Sequence, residues 1–412
     1  MKRLVVLGAG TAGTMVVNKL RGILPESVWS ITIVDKADTH HYQPGYLFVP
    51  FGGYQPSEIV KPATQFLPDG VEKITAEIER IDVELDEVIL RDGKILAYDQ
   101  LVIATGATPR SDQTPGMEGP LWRESVFDFY TLDGAEALAA KLSGWPGGRL
   151  VVHISEMPIK CPVAPLEFAF LADSYFKDRA MRDRVEIVYV TPLDGAFTKP
   201  VASKRLGSML EDRKIQVETD FYIQEVDNDR RMIVSYDERE IPFDLLVTVP
   251  VNMGADFIGR SGLGNELNYV PVDSGTFLST ASNNIFAIGD AADLPTSKAG
   301  SVAHFAVEIF TENFVHHIRG EEMPFEFDGH ANCFVESGGG KALLIDFNYD
   351  VQPLPGKYPV PVLGPFSLLE ETELNHFGKL AFKWIYWHAL LPGRELPLPT
   401  LMSMVGKEEV EA

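Results

Sequence analysis

The chain has 412 residues, 45% hydrophobic and 23% charged, so it is long enough for two or three globular domains. Its 36 basic and 59 acidic residues leave a formal net charge of −23, which argues against nucleic-acid binding because phosphate contacts need a basic surface. Two cysteines are too few for a secreted disulfide framework, and a single bridge between them would suit a redox role better than a structural one.

The N-terminal sequence RLVVLGAGTAGTMVVNKLRGIL predicts a strand, a glycine turn and a helix, and SITIVDKA predicts the next strand. The apolar run from Leu4 is too short for a signal peptide and leads directly into glycines. Gly8, Gly10 and Gly13 have the spacing that lets the backbone approach a pyrophosphate, and Asp35 ends the second strand, where it can accept from a ribose hydroxyl. The segment therefore predicts a dinucleotide-binding β–α–β unit.

The remaining pattern alternates between strands and helices. Strand-like runs lie at 100–107, 149–155, 185–192, 244–250 and 284–290, and helical patterns lie at 133–142, 164–180 and 201–213. Such alternation predicts parallel sheets with helices on their faces. Segments 77–99 and 215–244 alternate with a period of two residues, which predicts an antiparallel excursion in each half of an α/β protein.

Two further segments point to a flavin. LVIATGATPR (101–110) and NIFAIGDAADLP (284–295) resemble two signatures of flavoproteins that have two dinucleotide-binding domains. This resemblance implies FAD as the cofactor, with Asp290 near its ribityl or pyrophosphate part, and a helix from about residue 297 whose N-terminus faces the flavin ring. The implied cofactor-binding residues are Gly8, Gly10, Thr11, Ala12, Gly13, Asp35, Lys36, Gln43, Thr105, Gly106, Gly289, Asp290 and Lys298.

A second glycine motif, which would hold a nicotinamide dinucleotide, is expected after the strand near residue 154 but is missing. The sequence there is SEMPIKC, from Ser155 to Cys161, and it contains no glycine. Pro158 removes a backbone donor, and Met157 and Ile159 are bulky. We therefore do not expect a nicotinamide to supply the electrons, and Cys161 occupies the place that it would use.

The segments KCPVAPLEF, GKLAFKWIYWHALLPG and HHYQPGYLFVPFGGY, together with Cys333, resemble sulfide:quinone oxidoreductases over nearly the whole chain. The resemblance implies that Cys161 and Cys333 meet beside the flavin and exchange sulfur with sulfide, that Glu167 handles protons, and that electrons leave to a quinone. Thiolates are nucleophiles and leaving groups in such exchange. From the residues alone, inert buried cysteines and a solvated Glu167 remain alternatives.

One departure from that family concerns the segment RESVFDFYTLDG. Many members carry a third cysteine where this chain has Phe127, and a histidine where it has Thr131. If the third cysteine links FAD covalently, the FAD of this chain is non-covalent. The departure also leaves the length of the sulfur product, and even the preference for hydrogen sulfide, open.

The C-terminal tail has an apolar pattern that is locally basic. Phe377, Leu380, Trp384, Trp387 and Leu391 are spaced by three and four residues, which predicts one apolar helical stripe. Aromatic residues with nearby lysines favour a helix in a membrane interface, the alternative being a helix packed on the core. The resemblance implies quinone contacts at Phe334, Phe377, Lys379, Lys383 and Trp384, with surface snorkelling as the alternative for the lysines.

We accordingly expect two Rossmann-like nucleotide-binding domains in tandem and a C-terminal membrane-associating region. The predicted FAD domain comprises 1–115 and 245–325, the second domain 116–244, and the C-terminal region 326–412, with membrane contact through 376–394. We expect no metal site, no transmembrane helix and a peripheral location at the cell membrane, with the cytoplasm as second choice. The sequence permits a homo-oligomer without indicating one.

Three other functions remain open at this stage. One is the flavin subunit of a sulfide dehydrogenase that passes electrons to a cytochrome, which would normally be exported. Another is a type II NADH dehydrogenase, which needs the glycines that 155–160 lack. The third is a flavin-binding protein without turnover, whose cysteines would lie too far apart to bridge.

Overall fold

The computed structural model describes residues 1–360 and 364–408. A first parallel sheet contains the predicted N-terminal strands and, at its edge, a strand from much later in the chain. Most residues of its inner strands are buried, which explains their runs of Val, Ile and Leu, whereas the edge strand Val71–Thr75 is partly exposed. In spatial order they are Ile285–Ala287, Gln100–Ile103, Lys2–Leu7, Trp29–Asp35 and Val71–Thr75.

A second parallel sheet is formed by the middle of the chain. In spatial order its strands are Val126–Phe127, Leu245–Val249, Gly148–Ile154, Val185–Val190 and Gln216–Glu218. The predicted domain boundary before residue 245 is wrong, because Leu245–Val249 is an inner strand of this sheet and not part of the first. Its apolar sequence is compatible with either sheet, and only the pairing with Gly148–Ile154 decides between them.

Helices pack on the two parallel sheets, as the alternating pattern predicts, and on the segments added to them. They are α1 (Thr11–Ile23), α2 (Pro56–Ile59), α3 (Leu132–Gly144), α4 (Ala164–Asp178), α5 (Pro200–Asp212), α6 (Asp256–Arg260), α7 (Gly300–His317) and α8 (Glu373–Ile385). Short 3₁₀ segments include Gln43–Phe51, which packs against α3 and α4.

Each antiparallel excursion forms a small meander. The first contains Ile78–Asp82, Glu87–Leu90 and Ile95–Ala97, and the second contains Ile223–Asp227, Met232–Ser235 and Glu240–Pro242. Short ladders pair Thr39–His41 with Val60–Pro62, Thr108–Pro109 with Asn252–Met253, and Val270–Pro271 with Ala292–Asp293. These additions leave the two parallel sheets as the frame of an α/β fold.

The C-terminal part adds a mixed sheet with strands Ala331–Gly338, Lys341–Phe347, Gly364–Leu368 and Gly356–Val360. Helix α8 packs on this sheet, and a π-helical turn, Tyr386–Leu390, continues it. The prediction of one apolar stripe is wrong, because Trp387 and Leu391 are buried whereas Phe377 and Trp384 are 62% and 63% exposed. The wider π turn rotates later side chains away from the face that the α-helical period assigns.

No helix within residues 1–360 and 364–408 is both long and apolar enough to cross a bilayer. The exposed face of α8 nevertheless carries Leu374 beside Phe377 and Trp384. Apolar side chains on one exposed helix face indicate a surface that contacts something other than water.

Candidate active site

A cavity of about 430 Å³ runs from the glycine turn after the first strand to Cys161. Segments that follow strands of both parallel sheets line it, together with residues of α4, α7 and α8. At one end lie Gly10 and Asp35, and at the other lie Cys161, Glu167 and Lys379. Its volume falls in the range of small-molecule sites, so the predicted cofactor residues and the predicted thiol chemistry share one space.

The glycine turn has the shape of a dinucleotide cradle. Gly8 has a φ of +100°, and a Cβ there would lie 2.5 Å from the Ala104 carbonyl oxygen. A Cβ on Gly13 would lie 1.9 Å from the Gly8 carbonyl oxygen, so this glycine lets α1 approach the strand. Gly10 has open space where its Cβ would be and borders the cavity. A pyrophosphate can therefore approach the backbone at Gly10, at the N-terminus of α1.

Polar groups on the cavity wall also suit a bound dinucleotide. The Thr105 hydroxyl is buried on this wall without a hydrogen-bond partner among the described residues, and a ligand would supply one. Asp35 accepts from the backbone nitrogens of Ala9 and Ala37 at 2.7 and 2.8 Å and still faces the cavity. The observed wall thus offers both a donor and acceptors.

The predicted cofactor residues divide into three groups. Most of them line the cavity, namely Gly8, Gly10, Thr11, Ala12, Asp35, Gln43, Thr105, Gly106, Gly289, Asp290 and Lys298. Gly13 acts through packing, and Lys36 is exposed to solvent, so the structure gives no support for Lys36 as a cofactor ligand. Lys298 Nζ donates to the carbonyl oxygens of Asp290 and Ala292, so it braces this turn.

Lys160 is a cavity residue that the sequence analysis did not identify. Its Nζ donates to Gln43 Oε1 at 2.9 Å, which joins the loop before α4 to the 3₁₀ segment of the first half. Burial lowers the pKa of Lys160, although the charge of Asp290 opposes this effect. Its position next to Cys161 in the sequence could have indicated that Lys160 lies at the site.

Cys161 has a strained backbone that its neighbours hold in place. Its φ is +44°, a left-handed conformation that a residue with a Cβ seldom adopts. Its N–H donates to the Lys298 carbonyl at 2.7 Å, and its own carbonyl accepts from Ala164 N and from the Tyr130 hydroxyl. Such conformations cost about 1–3 kcal/mol and persist where the surroundings fix them, often at functional sites.

Cys333 reaches the same region from the C-terminal sheet. It lies in the strand Ala331–Gly338, and its Sγ is 4.0 Å from Oγ of Ser301 in the first turn of α7. That helix N-terminus, with Gly300 and Ala303, lines the cavity. Both cysteines are free thiols, and each is partly buried against the core.

The pKa values of both thiols depend on burial and on the charge of Glu167. Burial raises the pKa of Cys161, and the charges of Glu167 and Cys333 raise it further. Burial also raises the pKa of Cys333 to about 11, against the hydrogen bond from Ser301. Burial thus disfavours the thiolate form of both side chains. Forming a thiolate therefore requires a base nearby.

Glu167 is such a group, and it is buried instead of solvated, with a side chain that is 1% exposed. Its Oε1 accepts from the backbone N–H of Glu336 at 2.6 Å and from Nζ of Lys379. Burial raises the pKa of Glu167, and Lys379 opposes this shift. The carboxylate is thus closer to accepting a proton at neutral pH than a surface glutamate.

The predicted quinone residues do not form one group. Lys379 points inward, where it donates to Glu167 and to the Phe334 carbonyl, so surface snorkelling is wrong for this lysine. Although burial acts to lower it, the Glu167 charge holds the pKa of Lys379 above its ordinary value. Lys383 instead points outward and pairs with Glu58 at 3.2 Å. Phe334 packs edge-on against Phe366, whereas Phe377 and Trp384 face solvent.

A buried hydrogen-bond chain joins the tail to the glycine turn. Burial lowers the pKa of His40 to about 4, so its ring is neutral at physiological pH. Its Nδ1 is 3.0 Å from the Ala9 carbonyl, which can only accept, so Nδ1 carries the proton. Nε2 therefore accepts from the Tyr386 hydroxyl at 2.7 Å, and the Tyr386 oxygen accepts from Thr11 Oγ1. The sequence analysis missed both His40 and Tyr386.

The position of the missing third cysteine is part of the core. Phe127 is buried in the second sheet, and Thr131 caps α3 by accepting from Gly134 N at 3.1 Å. Neither side chain offers a thiol to the cavity.

Residues 2–308 match the sequence pattern of the pyridine nucleotide-disulphide oxidoreductase family. Among curated proteins, the chain is 25% identical to the mitochondrial sulfide:quinone oxidoreductase of Dictyostelium discoideum, covering 99% of this chain and 90% of that protein. It is also 25% identical to the sulfide-quinone reductase of Aquifex aeolicus, over 94% of this chain and 90% of the relative.

Solved structures agree on the fold. The crystal structure of the sulfide:quinone oxidoreductase from Aquifex aeolicus superposes with a TM-score of 0.80, at 22% identity, over 96% of this chain and 92% of that one. The likeness includes the C-terminal part, which lies beyond the family match at 2–308.

Proposed function

The chain belongs to the pyridine nucleotide-disulphide oxidoreductase family and is an oxidoreductase, and on this basis we propose that it oxidises sulfide to sulfane sulfur and passes the electrons through FAD to a quinone. The observation that carries the proposal is the shared cavity. Cys161, Glu167 and Lys379 lie on the same wall as the glycine cradle, in place of a nicotinamide site.

The cradle at Gly8, Gly10 and Gly13, with Asp35 and Thr105, would hold FAD without a covalent link. Bound FAD would supply the two-electron carrier between the cysteines and the quinone. The N-terminus of α7 and the ammonium group of Lys160 would stabilise negative charge at the cysteine end of the cavity. The buried side chains of Tyr130 and Glu167 line this end.

The sulfur chemistry proceeds by thiol–disulfide exchange. In the oxidised state the Cys161 and Cys333 sulfurs are bonded to each other. The hydrosulfide sulfur attacks one of them, so a new S–S bond forms, the bridging S–S bond breaks, and the other cysteine leaves as a thiolate. A second nucleophile removes the bound sulfane sulfur and leaves Cys161 and Cys333 as two thiols. The bridge would re-form with the loss of two electrons and two protons, and bound FAD would be the electron acceptor. Glu167 accepts the proton that each thiol or sulfide releases.

The quinone would lie between the Phe334 ring and Lys379, which can donate to a quinone carbonyl. Phe377 and Trp384 on the exposed face of α8 would contact the acyl chains from which a quinone arrives. Lys383 and Glu58 form a charged pair near this face. The proposed location is therefore a membrane surface, reached through residues 376–394.

The test is an anaerobic titration of the flavin absorbance of the purified protein, separately with sulfide and with NADH, followed by decyl-ubiquinone. We expect sulfide to bleach the flavin and quinone to restore its absorbance. In Cys161→Ser and in Cys333→Ser, sulfide should not bleach the flavin. Bleaching by NADH but not sulfide would contradict the proposal and favour an NADH dehydrogenase. A protein that neither donor reduces would be a flavoprotein with a different substrate.

A further inference from the structure

A buried glutamate and a partly exposed histidine lie behind Lys379. The carboxylate of Glu336 lies 2.9 and 3.0 Å from Nδ1 of His376. The Glu336 side chain is 1% exposed, whereas that of His376, in the first turn of α8, is 21% exposed. The pair therefore spans from the protein interior to solvent.

The inner end of this pair meets the active-site wall. The Glu336 backbone N–H donates to Glu167 Oε1 at 2.6 Å, and Lys379 donates to Glu167 and to the Phe334 carbonyl at 3.1 Å. Lys379 follows His376 by one helical turn, so both face the strand Ala331–Gly338. His376 and the buried Glu336 carboxylate thus lead from solvent toward Lys379, which borders the cavity and feels the Glu336 charge.

We propose that His376 and Glu336 deliver to Lys379 the protons that quinone reduction consumes. The inference rests on the proposed function. A quinone that takes two electrons from the bound cofactor takes two protons as well. Lys379 donates one to the quinone oxygen. The Glu336 carboxylate takes one from the protonated His376 ring and passes it to Lys379, and His376 regains one from solvent. Each relay group ends in its starting state, and a second passage supplies the second proton.

The charges around Glu336 suit this role. From α8 it faces His376 and Lys379, from α4 Glu167, and from the loop after the 3₁₀ segment Tyr54. The Glu336 charge acts to raise the pKa values of Lys379 and Glu167, so protonation of one group changes its neighbours. An imidazole ring has two nitrogens, one of which can take a proton while the other gives one up, and the His376 ring is the group of this pair that reaches solvent.

The surface of the protein offers a matched control. His316 Nδ1 lies 2.8 Å from Glu321 Oε2 at the end of α7, with a similar partly exposed ring. This histidine–glutamate pair has similar geometry, but its glutamate is exposed and no cavity residue adjoins it among the described residues. His316→Gln should therefore leave both half-reactions unchanged.

The experiment follows the reoxidation of the flavin by decyl-ubiquinone, in holoenzyme reduced by light with a deazaflavin, from pH 6 to 9. His376→Gln should slow flavin reoxidation by about tenfold or more, because the group that takes protons from solvent is missing. The decline of the reoxidation rate with rising pH should disappear in the same variant. Glu336→Gln, which keeps the hydrogen-bonding shape, should slow the same step. Imidazole should restore the rate in His376→Ala, which a purely structural role would not allow.

Equal rates and pH profiles for His376→Gln, His316→Gln and the parent would overturn the relay alone. Failure of imidazole rescue would also overturn it. If quinone does not reoxidise the parent protein, the proposed function fails, and the relay fails with it. Light reduction keeps these outcomes independent of sulfide as the electron donor.

Discussion

The Tyr386 hydroxyl, in the π-helical turn near the end of the chain, donates a hydrogen bond to His40 Nε2 over 2.7 Å. The same oxygen accepts from Thr11 of the glycine turn. Residues separated by more than 340 positions therefore form one wall of the cavity, and the tail and the cofactor cradle should be stable only together.

Tyr386→Phe should weaken FAD binding and lower the Tm. The change leaves His40 Nε2 buried without a donor, which costs about 1–3 kcal/mol. A fluorescence titration of the apoprotein with FAD would measure the Kd, which we expect to rise by about tenfold. Tyr98→Phe is the control, because the Tyr98 hydroxyl is buried without a partner among the described residues. Equal Kd values for both variants would contradict the coupling.

Cys333 should be alkylated slowly, with a rate that keeps rising at alkaline pH. In Cys161→Ser it is the remaining cysteine of the chain, so iodoacetamide labelling reports on it alone. Because burial raises its pKa to about 11, the thiolate fraction should increase about tenfold per pH unit up to pH 10 without a plateau. Mass spectrometry of quenched samples measures the rate. A plateau of the labelling rate near pH 8.5 would show that burial does not raise the pKa of Cys333.

Glu167→Gln should slow the reduction of the flavin by sulfide at least about a hundredfold. The amide keeps the size of the side chain and its contact with the Glu336 N–H but cannot take a proton. Lys379 loses the carboxylate that holds its pKa up, so this lysine becomes easier to deprotonate. Stopped-flow absorbance separates this half-reaction from reoxidation. If Glu167→Gln unfolds normally with temperature and its flavin is reduced at the parent rate, another group accepts the proton that sulfide or the thiol releases.

Gly378→Ala should separate α8 from the C-terminal sheet. A Cβ at this position would lie 2.6 and 2.7 Å from ring carbons of Phe366 and Phe334, which are packed and cannot retreat easily. We expect a loss of about 1–3 kcal/mol in the free energy of unfolding and a higher KM for quinone. Gly22→Ala in α1 meets open space and should be neutral or stabilising.

The exposed face of α8 should bind lipid vesicles. Phe377→Ser with Trp384→Ser removes two apolar side chains, each worth about 1.5–3 kcal/mol when buried. Vesicle flotation should therefore show at least a hundredfold weaker binding. The control pair is Leu85→Ser with Tyr236→Ser, since both positions are equally exposed but lie in the antiparallel meanders. If both double variants float like the parent, this face does not contact lipid.

Local sequence patterns predicted the frame of the protein well. The strand–glycine–helix unit, the alternation around 149–213 and the meanders depend on short-range periodicity, which determines local structure directly. The cavity wall at Gly10 and Thr105 was predicted by motifs whose spacing is fixed by the ligand that they hold. Sheet membership of Leu245–Val249 was not predicted, because pairing is a long-range choice between similar apolar surfaces.

The predictions that failed concern side-chain direction. Lys379 and Lys383 are four residues apart and resemble each other in the sequence, yet only Lys379 points inward, since Gly378 lets that part of the helix approach the sheet. The π turn after Ile385 changes the helical phase, which no periodicity analysis with a fixed repeat detects. The roles of His40 and Glu336 could not be predicted, because their hydrogen-bond partners are distant in the chain.

The order of these parts along the chain has a consequence for synthesis. The first two sheets and the glycine turn are complete once Ile285–Ala287 has paired. Cys333, Lys379 and Tyr386 emerge from the ribosome afterwards, as the last fifth of the polypeptide. During translation the nascent protein therefore passes through a stage in which the cradle exists but its thiol partner does not. Under the proposed function, sulfur exchange between Cys161 and Cys333 cannot begin until the C-terminal sheet has formed, so a partly synthesised chain would not release reactive sulfur.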